Sequence, residues 1–184
     1  MNKDKTVMWS ALAEKAWAKI KGSYDIADGG FVQTGLRSLT GVPVFSYKAV
    51  DITDQTLADA AWQAIKNADT AGYYIGAGTA GSGNDQQTNG CGIAMSHAYS
   101  VISAFTLTAT NSTAYKVLLV RNPWGTTGYN STFNKDDEIW TQAGTKAQVP
   151  NGVDPTTDWN NGYFVIPISK FINAECFTDY QIAH

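Results

Sequence analysis

The sequence contains few of the residues that build metal sites, disulfide frameworks or nucleic-acid interfaces. Its 184 residues include two cysteines and two histidines, with no CxxC pair that would suit zinc. Charged residues make up 16%, the formal net charge is -3, and no run of lysine and arginine indicates nucleic-acid binding. No segment reaches the roughly 18 apolar residues of a membrane span. We therefore expect no nucleic-acid partner, no membrane span, reduced thiols and a cytoplasmic (intracellular) location.

The residues that are abundant indicate a well-packed chain with many turns. Hydrophobic residues make up 43%, aromatic residues 12%, and there are 17 glycines. Apolar residues recur along positions 9–20 with helical spacing, and Gly22 is a suitable stop. A second helix is predicted over 54–67, capped by Thr53 or Asp54. The segment 28–43 predicts irregular structure, and residues 1–184 are expected to form a single domain.

The remainder of the chain predicts β-structure. Strands are expected at 72–76, 97–107, 115–121, 162–166 and 177–182, with a long loop over 76–92, a hairpin loop over 108–114 and a short helical turn over 169–173. Residues 125–158 are polar, with Phe133, Ile139 and Trp140 as isolated anchors. The pattern predicts an α+β fold in which an antiparallel sheet or barrel is flanked by helices.

One histidine and one asparagine are candidates for a joint role. His184 is the last residue, so His97 is the sole internal imidazole. Antiparallel pairing of the strand that starts at His97 with the strand that ends at Asn122 would bring the two side chains together. The Asn122 oxygen could then orient the ring towards a nucleophile, and Trp124 could cover that hydrogen bond. The simpler interpretations are a structural histidine and an Asn-Pro turn.

Two strings around these residues resemble the calpain family of cysteine proteases. Residues 96–101 (SHAYSV) resemble the GHAYSV around the calpain histidine, and residues 117–125 (VLLVRNPWG) resemble the asparagine motif LIRxRNPWG. Three further segments resemble the family in the same order: 9–24, 40–42 and 162–171. The resemblance implies the second, β-rich lobe of a papain-like protease core. It implies His97 as general base and acid, Asn122 as its orienting residue, and Trp124 as shield and cleft wall.

The nucleophile of the family is missing from this sequence. It belongs to the first lobe, in a Gln…Gly-x-Cys-Trp setting that neither cysteine shares. We do not expect Cys91 to be a nucleophile, and Cys176 is expected to be a small buried hydrophobic residue. The chain is therefore expected to be a fragment of an intracellular cysteine endopeptidase that is inactive alone, with the first lobe and protein substrates as partners. The alternative is a pseudoenzyme or adaptor that uses the lobe to bind proteins.

These residues predict no cofactor. The resemblance makes calcium conceivable, because calpains bind it through acidic residues after the NPWG turn. Those positions fall on Gly128, Lys135 and Asn161, which removes most of the carboxylate charge that calcium requires. Four acidic residues remain nearby: Asp136, Asp137, Glu138 and Asp158. They are interpreted as a solvated acidic loop.

Overall fold

The computed structural model describes residues 8–27, 29–81 and 85–184. Four helices and six strands occur in these ranges. In chain order they are α1 (Trp9–Lys21), α2 (Val32–Thr40), β1 (Val44–Lys48), α3 (Gln55–Thr70), β2 (Tyr74–Gly78), β3 (Ala98–Thr108), β4 (Ala114–Arg121), β5 (Tyr163–Pro167), α4 (Ile168–Phe171) and β6 (Asp179–Ala183). The six strands form one sheet in the order β1-β6-β2-β3-β4-β5. Every pairing is antiparallel, so the predicted α+β class is confirmed.

Local signals account for the helices that were predicted. Gly22, with a positive φ of 107°, ends α1 and donates its N–H to the Ala18 carbonyl at 2.9 Å. Asp54 caps α3 by accepting a hydrogen bond from the Leu57 N–H at 2.9 Å, which satisfies one orphan donor of the first turn. Among the described residues, no helix is long and apolar enough to cross a membrane.

The prediction of irregular structure over 28–43 is wrong, because α2 occupies residues 32–40. Its sequence, VQTGLRSLT, has low intrinsic helix propensity and no side-chain cap. The helix packs on β1, β2 and β6. A Cβ atom built on Gly76 would meet Val32 at a distance that no real Cβ shows, so the glycine allows α2 to approach the sheet. Packing on the sheet, and not propensity, therefore stabilises this helix.

The core lies on both faces of the sheet. Leu118 and Val120 of β4 join the cluster beneath α3, whereas Val117 and Leu119 join a second cluster on the opposite face. Four consecutive residues are thus fully buried, which explains the unbroken apolar run of this strand. The second cluster is completed by the long excursion between β4 and β5, where the anchors Phe133, Ile139 and Trp140 are buried as predicted. That excursion contains four short 3-10 segments, at 138–141, 146–148, 150–152 and 158–161.

Candidate active site

The β3–β4 hairpin brings His97 and Asn122 together at its open end. Ser100 pairs with Arg121 at the end of the hairpin, so the chain that precedes Ser100 and carries His97 lies beside the chain that follows Arg121 and carries Asn122. The His97 Nε2 atom lies 2.9 Å from Asn122 Oδ1. The predicted contact is therefore confirmed, and it follows from the pairing of two strands of similar length.

Asn122 makes three hydrogen bonds besides its contact with the histidine. It is 3% exposed, its N–H donates to the Gly162 carbonyl at 2.9 Å, and its own carbonyl accepts from the Gly125 N–H at 3.1 Å. Its Oδ1 also accepts the N–H of Trp124 at 3.0 Å. A backbone N–H can only donate, so this bond identifies the atom facing the imidazole as the carbonyl oxygen of the amide.

The identity of that oxygen fixes the tautomer of the ring. Because Asn122 Oδ1 accepts, His97 Nε2 carries a proton, and in the neutral ring Nδ1 is the basic nitrogen. No group among the described residues hydrogen-bonds Nδ1. The hydrogen bond to Asn122 thus orients the ring so that its Nδ1 points away from the amide.

Two aromatic rings enclose the imidazole. The Trp124 ring lies with its centroid 4.2 Å from that of His97 at an interplanar angle of 45°, and Tyr99 meets the imidazole edge-on at 5.0 Å. Burial raises the pKa of Tyr99 to about 12, so it stays a neutral neighbour at physiological pH. Trp124 is 46% exposed, so part of its ring contacts the imidazole while the rest faces solvent.

The backbone of His97 is held by Thr79, a residue that no sequence pattern indicated. Thr79 accepts the His97 N–H through its hydroxyl at 3.0 Å and donates its own N–H to the His97 carbonyl at 3.0 Å. The preceding residue, Ser96, has a positive φ of 47° where the calpain motif carries glycine. Its hydroxyl donates to the Gly81 carbonyl at 2.8 Å, which ties the strained residue to the loop beside it. A threonine within a Gly-rich loop gives no signal of this role.

The expectation of reduced thiols is wrong, because Cys91 and Cys176 form a disulfide bond. Their Cα atoms are 5.5 Å apart and both residues are buried. Asn89 braces the same junction by donating its side-chain amide to the Cys176 carbonyl at 2.9 Å. A bonded cysteine cannot supply a thiolate, which agrees with the expectation that Cys91 is not the nucleophile. The disulfide also removes one argument for a cytoplasmic location, since disulfides persist mainly in oxidising compartments.

Two of the three positions that correspond to the family's calcium ligands, Gly128 and Lys135, line one surface hollow. Gly128, Lys135, Asp136 and Trp159 line it. Lys135 Nζ lies 2.6 Å from an Asp136 carboxylate oxygen and 5.4 Å from the centroid of the Trp159 ring. No group of three or more His, Cys, Asp or Glu side chains suited to a metal occurs among the described residues.

The remaining acidic residues of this region support its turns. Asp137 accepts the N–H groups of Phe133 and Ile139 at 2.8 and 3.0 Å. Asp158 accepts the Asp154 N–H at 2.8 Å. Hydrogen bonding to Thr156, more than the nearby Lys146, lowers the pKa of Asp154. These carboxylates are therefore partnered within the loop itself, and the hollow contains an ammonium group paired with Asp136 in place of a ring of oxygen ligands.

Comparison with known proteins places these features in a family context. The model of the family described as calpain family cysteine protease matches residues 1–184. The calpain-type cysteine protease ADL1 of Oryza sativa subsp. japonica is 30% identical over 142 residues, which is 73% of this chain and 6% of that protein. Calpain-5 of Caenorhabditis elegans is 27% identical over 195 residues, covering 95% of this chain and 30% of that protein. The chain thus spans less than a third of the length of these relatives.

A solved structure gives a weaker likeness. The crystal structure of SERA5E from Plasmodium falciparum aligns with a TM-score of 0.40 and 17% sequence identity, covering 77% of this chain and 45% of that chain.

Proposed function

Because the chain belongs to the calpain family of cysteine proteases, we propose that it is the second lobe of an endopeptidase core, a single domain over residues 1–184. In this proposal it supplies the general base and its orienting residue to a cysteine carried by a first lobe of the same parent protein. The observation that carries the proposal is the hydrogen bond of 2.9 Å between His97 and Asn122, shielded by Trp124. A scaffold that only binds proteins would have no need of that trio.

The proposed chemistry starts with a proton transfer. His97 Nδ1 takes the proton of the incoming thiol, giving a thiolate and an imidazolium whose Nε2–H stays hydrogen-bonded to Asn122 Oδ1. The thiolate attacks the scissile carbonyl and forms the S–C bond. As the C–N bond breaks, the imidazolium donates its proton to the leaving amine. His97 then removes a proton from water, which attacks the thioester carbonyl; the C–S bond breaks, the carboxylic acid leaves, and the proton returns from His97 to the cysteine sulfur.

Exposed apolar residues support a partner lobe. Trp9, Leu12 and Ile20 of α1 are 71%, 59% and 71% exposed, although large apolar side chains usually lie inside a fold. Among the residues of α1, Ala18 is buried. Trp124 adds apolar surface beside the candidate base. A first lobe that covers α1 and the His97 face would bury this surface and complete the cleft.

The proposal is tested by reconstituting the core from two pieces. The chain is assayed on a fluorogenic peptide alone and after addition of the cysteine-bearing lobe, each with and without calcium. We expect no turnover from the chain alone and turnover from the pair, because a base cannot replace the thiolate. His97→Ala should abolish that turnover. His184→Ala is the matched control, since the ring of this second histidine lies between Phe45 and Tyr73 at the other end of the sheet.

Two outcomes would contradict the proposal. Turnover by the chain alone that disappears in Cys91→Ala would identify a nucleophile within this lobe. Turnover by the pair that survives His97→Ala would show that the base lies elsewhere.

A further inference from the structure

An acidic groove lies beside the candidate base. Its floor is the end of β2 and the loop that follows, Gly78 to Gly81, and its walls include Ser96, His97 and Asp179. Gly78 pairs with Ala98 on one side and with Asp179 on the other. Asp179 therefore lies two strands from the start of β3, or about 10 Å at the usual strand spacing. An extended substrate rises about 3.3 Å per residue, so this distance corresponds to about three substrate residues counted from the start of β3.

The carboxylate of Asp179 is held in place without a counter-charge. It accepts hydrogen bonds from the Gln181 side-chain amide and, at 3.2 Å, from the Thr178 hydroxyl. No lysine or arginine among the described residues comes within 4 Å of it, although Lys48 is its register partner on β1. The described lining of the groove contains a second carboxylate, Asp85, and no lysine or arginine. The described lining of the groove thus carries negative charge, and no ion pair among the described residues neutralises it.

The position of the carboxylate is maintained by buried structure. Gln181 is 5% exposed, and its Oε1 is a buried oxygen without a hydrogen-bond partner among the described residues. Its side-chain amide N–H donates to the Asp179 carboxylate. An unsatisfied buried acceptor costs free energy, and such exceptions often mark functional groups. At Gly78 a Cβ atom would meet the Asp179 carboxylate at 2.8 Å, so the glycine leaves room for it. The sheet therefore holds a partly exposed anion in the groove.

From this groove we infer that Asp179 is a specificity-determining residue that selects a lysine or arginine side chain of the substrate. The inference rests on the proposed peptidase function, and it names the substrate class of the same cleft. A cationic side chain entering the groove would pair with a carboxylate that is already oriented and lacks a partner. An acidic side chain there would be repelled, which adds discrimination against it.

The test uses the parent protein, first lobe included, and peptide libraries that vary one position at a time around the scissile bond. At one position within three residues of that bond, we expect lysine and arginine to exceed leucine in kcat/KM. Asp179→Asn should reduce that ratio by at least about fivefold, which corresponds to one partly screened ion pair. Asp179→Lys should reverse the charge preference, so that glutamate exceeds lysine and arginine in kcat/KM at that position. The leucine peptide is the internal reference in each variant, so that a changed ratio reports selectivity and an equal loss on all peptides reports damage to the fold.

Asp59→Asn is the matched control, because it removes one carboxylate from the exposed surface of α3, where it pairs with Lys116. Its selectivity should equal that of the unaltered protein. Turnover without a basic preference, or a preference unchanged in Asp179→Asn, would overturn this inference and leave the peptidase proposal standing. An absence of turnover on every library would overturn the peptidase proposal and this inference with it.

Discussion

Gly162 is the residue on which the position of Asn122 most directly depends. It has a φ of 87°, and a Cβ atom there would lie 2.5 Å from the Asn122 carbonyl oxygen. Gly162→Ala should lower the free energy of unfolding by about 2–4 kcal/mol, because overpacking adds to backbone strain. Gly144→Ala is the control, since Gly144 has a φ of 79° but open space around it. Gly144→Ala should lower the free energy of unfolding by about 1 kcal/mol. Equal losses in urea denaturation would show that the contact with Asn122 is unimportant.

Asn122 itself should matter for rate more than for substrate affinity. In the reconstituted core, Asn122→Ala should lower kcat by about 10- to 100-fold with little change in KM, because the ring loses the partner that fixes its tautomer and direction. Steady-state kinetics on one peptide measures both constants. Asn160→Ala, an exposed position, should leave them unchanged. A rise in KM alone would instead indicate that Asn122 binds substrate.

The sequence predicted some of these residues and missed others for a physical reason. His97, Asn122 and Trp124 lie in short strings whose spacing indicates a hairpin, so their meeting could be predicted. Thr79 lies 18 residues from His97 and meets it only because β2 pairs with β3. Gly162 approaches Asn122 through the pairing of β5 with β4. Contacts made by tertiary pairing leave no local pattern in the sequence.

At the scale of elements, the disulfide connects the loop before His97 to the segment before β6. It links Cys91 to Cys176 across 85 positions of the chain. Reduction, or the double variant Cys91→Ser/Cys176→Ser, should lower the free energy of unfolding by about 3–4 kcal/mol, since closing so long a loop restricts the unfolded chain. Urea denaturation with and without reductant measures this loss. The double variant should not respond to reductant, and a wild-type chain equally stable in both conditions would show that the bond is absent in solution.

The disulfide also shows where sequence reasoning about elements failed. Two cysteines 85 positions apart give no framework, and pairing depends on the fold that brings them together. Helix α2 and strand β1 were missed because each is stabilised by packing on β6. By contrast, α1 and α3 were predicted, with α3 ending three residues beyond the expected 67. Their apolar spacing and their capping signals at Gly22 and Asp54 are local.

The excursion between β4 and β5 should bind calcium weakly or not at all. Lys135 places an ammonium group beside Asp136, and the nearby carboxylates of Asp137 and Asp158 accept backbone N–H groups. A divalent cation would meet one fixed positive charge and few free oxygens. Isothermal titration of the chain with calcium should therefore show no binding in the micromolar range, and a chelator should not shift its Tm. Micromolar binding, or an ion in an all-oxygen shell, would contradict this expectation.

For the whole molecule, the two-sided core implies a particular response to alkaline pH. Burial raises the pKa of Tyr99 to about 12 and that of Tyr180 to about 12, against about 10 in an unfolded chain. Burial also raises the pKa of Tyr129. Below pH 10 the folded and unfolded states are both protonated at these groups, so their contribution to stability is fully present. Above pH 10 the unfolded chain releases the protons first, and stability falls as the pH rises towards 12.

Between about pH 10 and 12, the free energy of unfolding should fall by about 1.4 kcal/mol per pH unit for each such tyrosine. Urea denaturation followed by tryptophan fluorescence at pH 8.0, 9.5, 10.5 and 11.0 measures the slope. Tyr99→Phe should reduce this slope by the contribution of one tyrosine, because the ring remains in the core and the ionisable hydroxyl is gone. Tyr24→Phe is the control, since Tyr24 is 58% exposed. A stability that stays constant up to pH 11, or a slope equally reduced in both variants, would mean that the tyrosine hydroxyls of the core ionise without unfolding the chain.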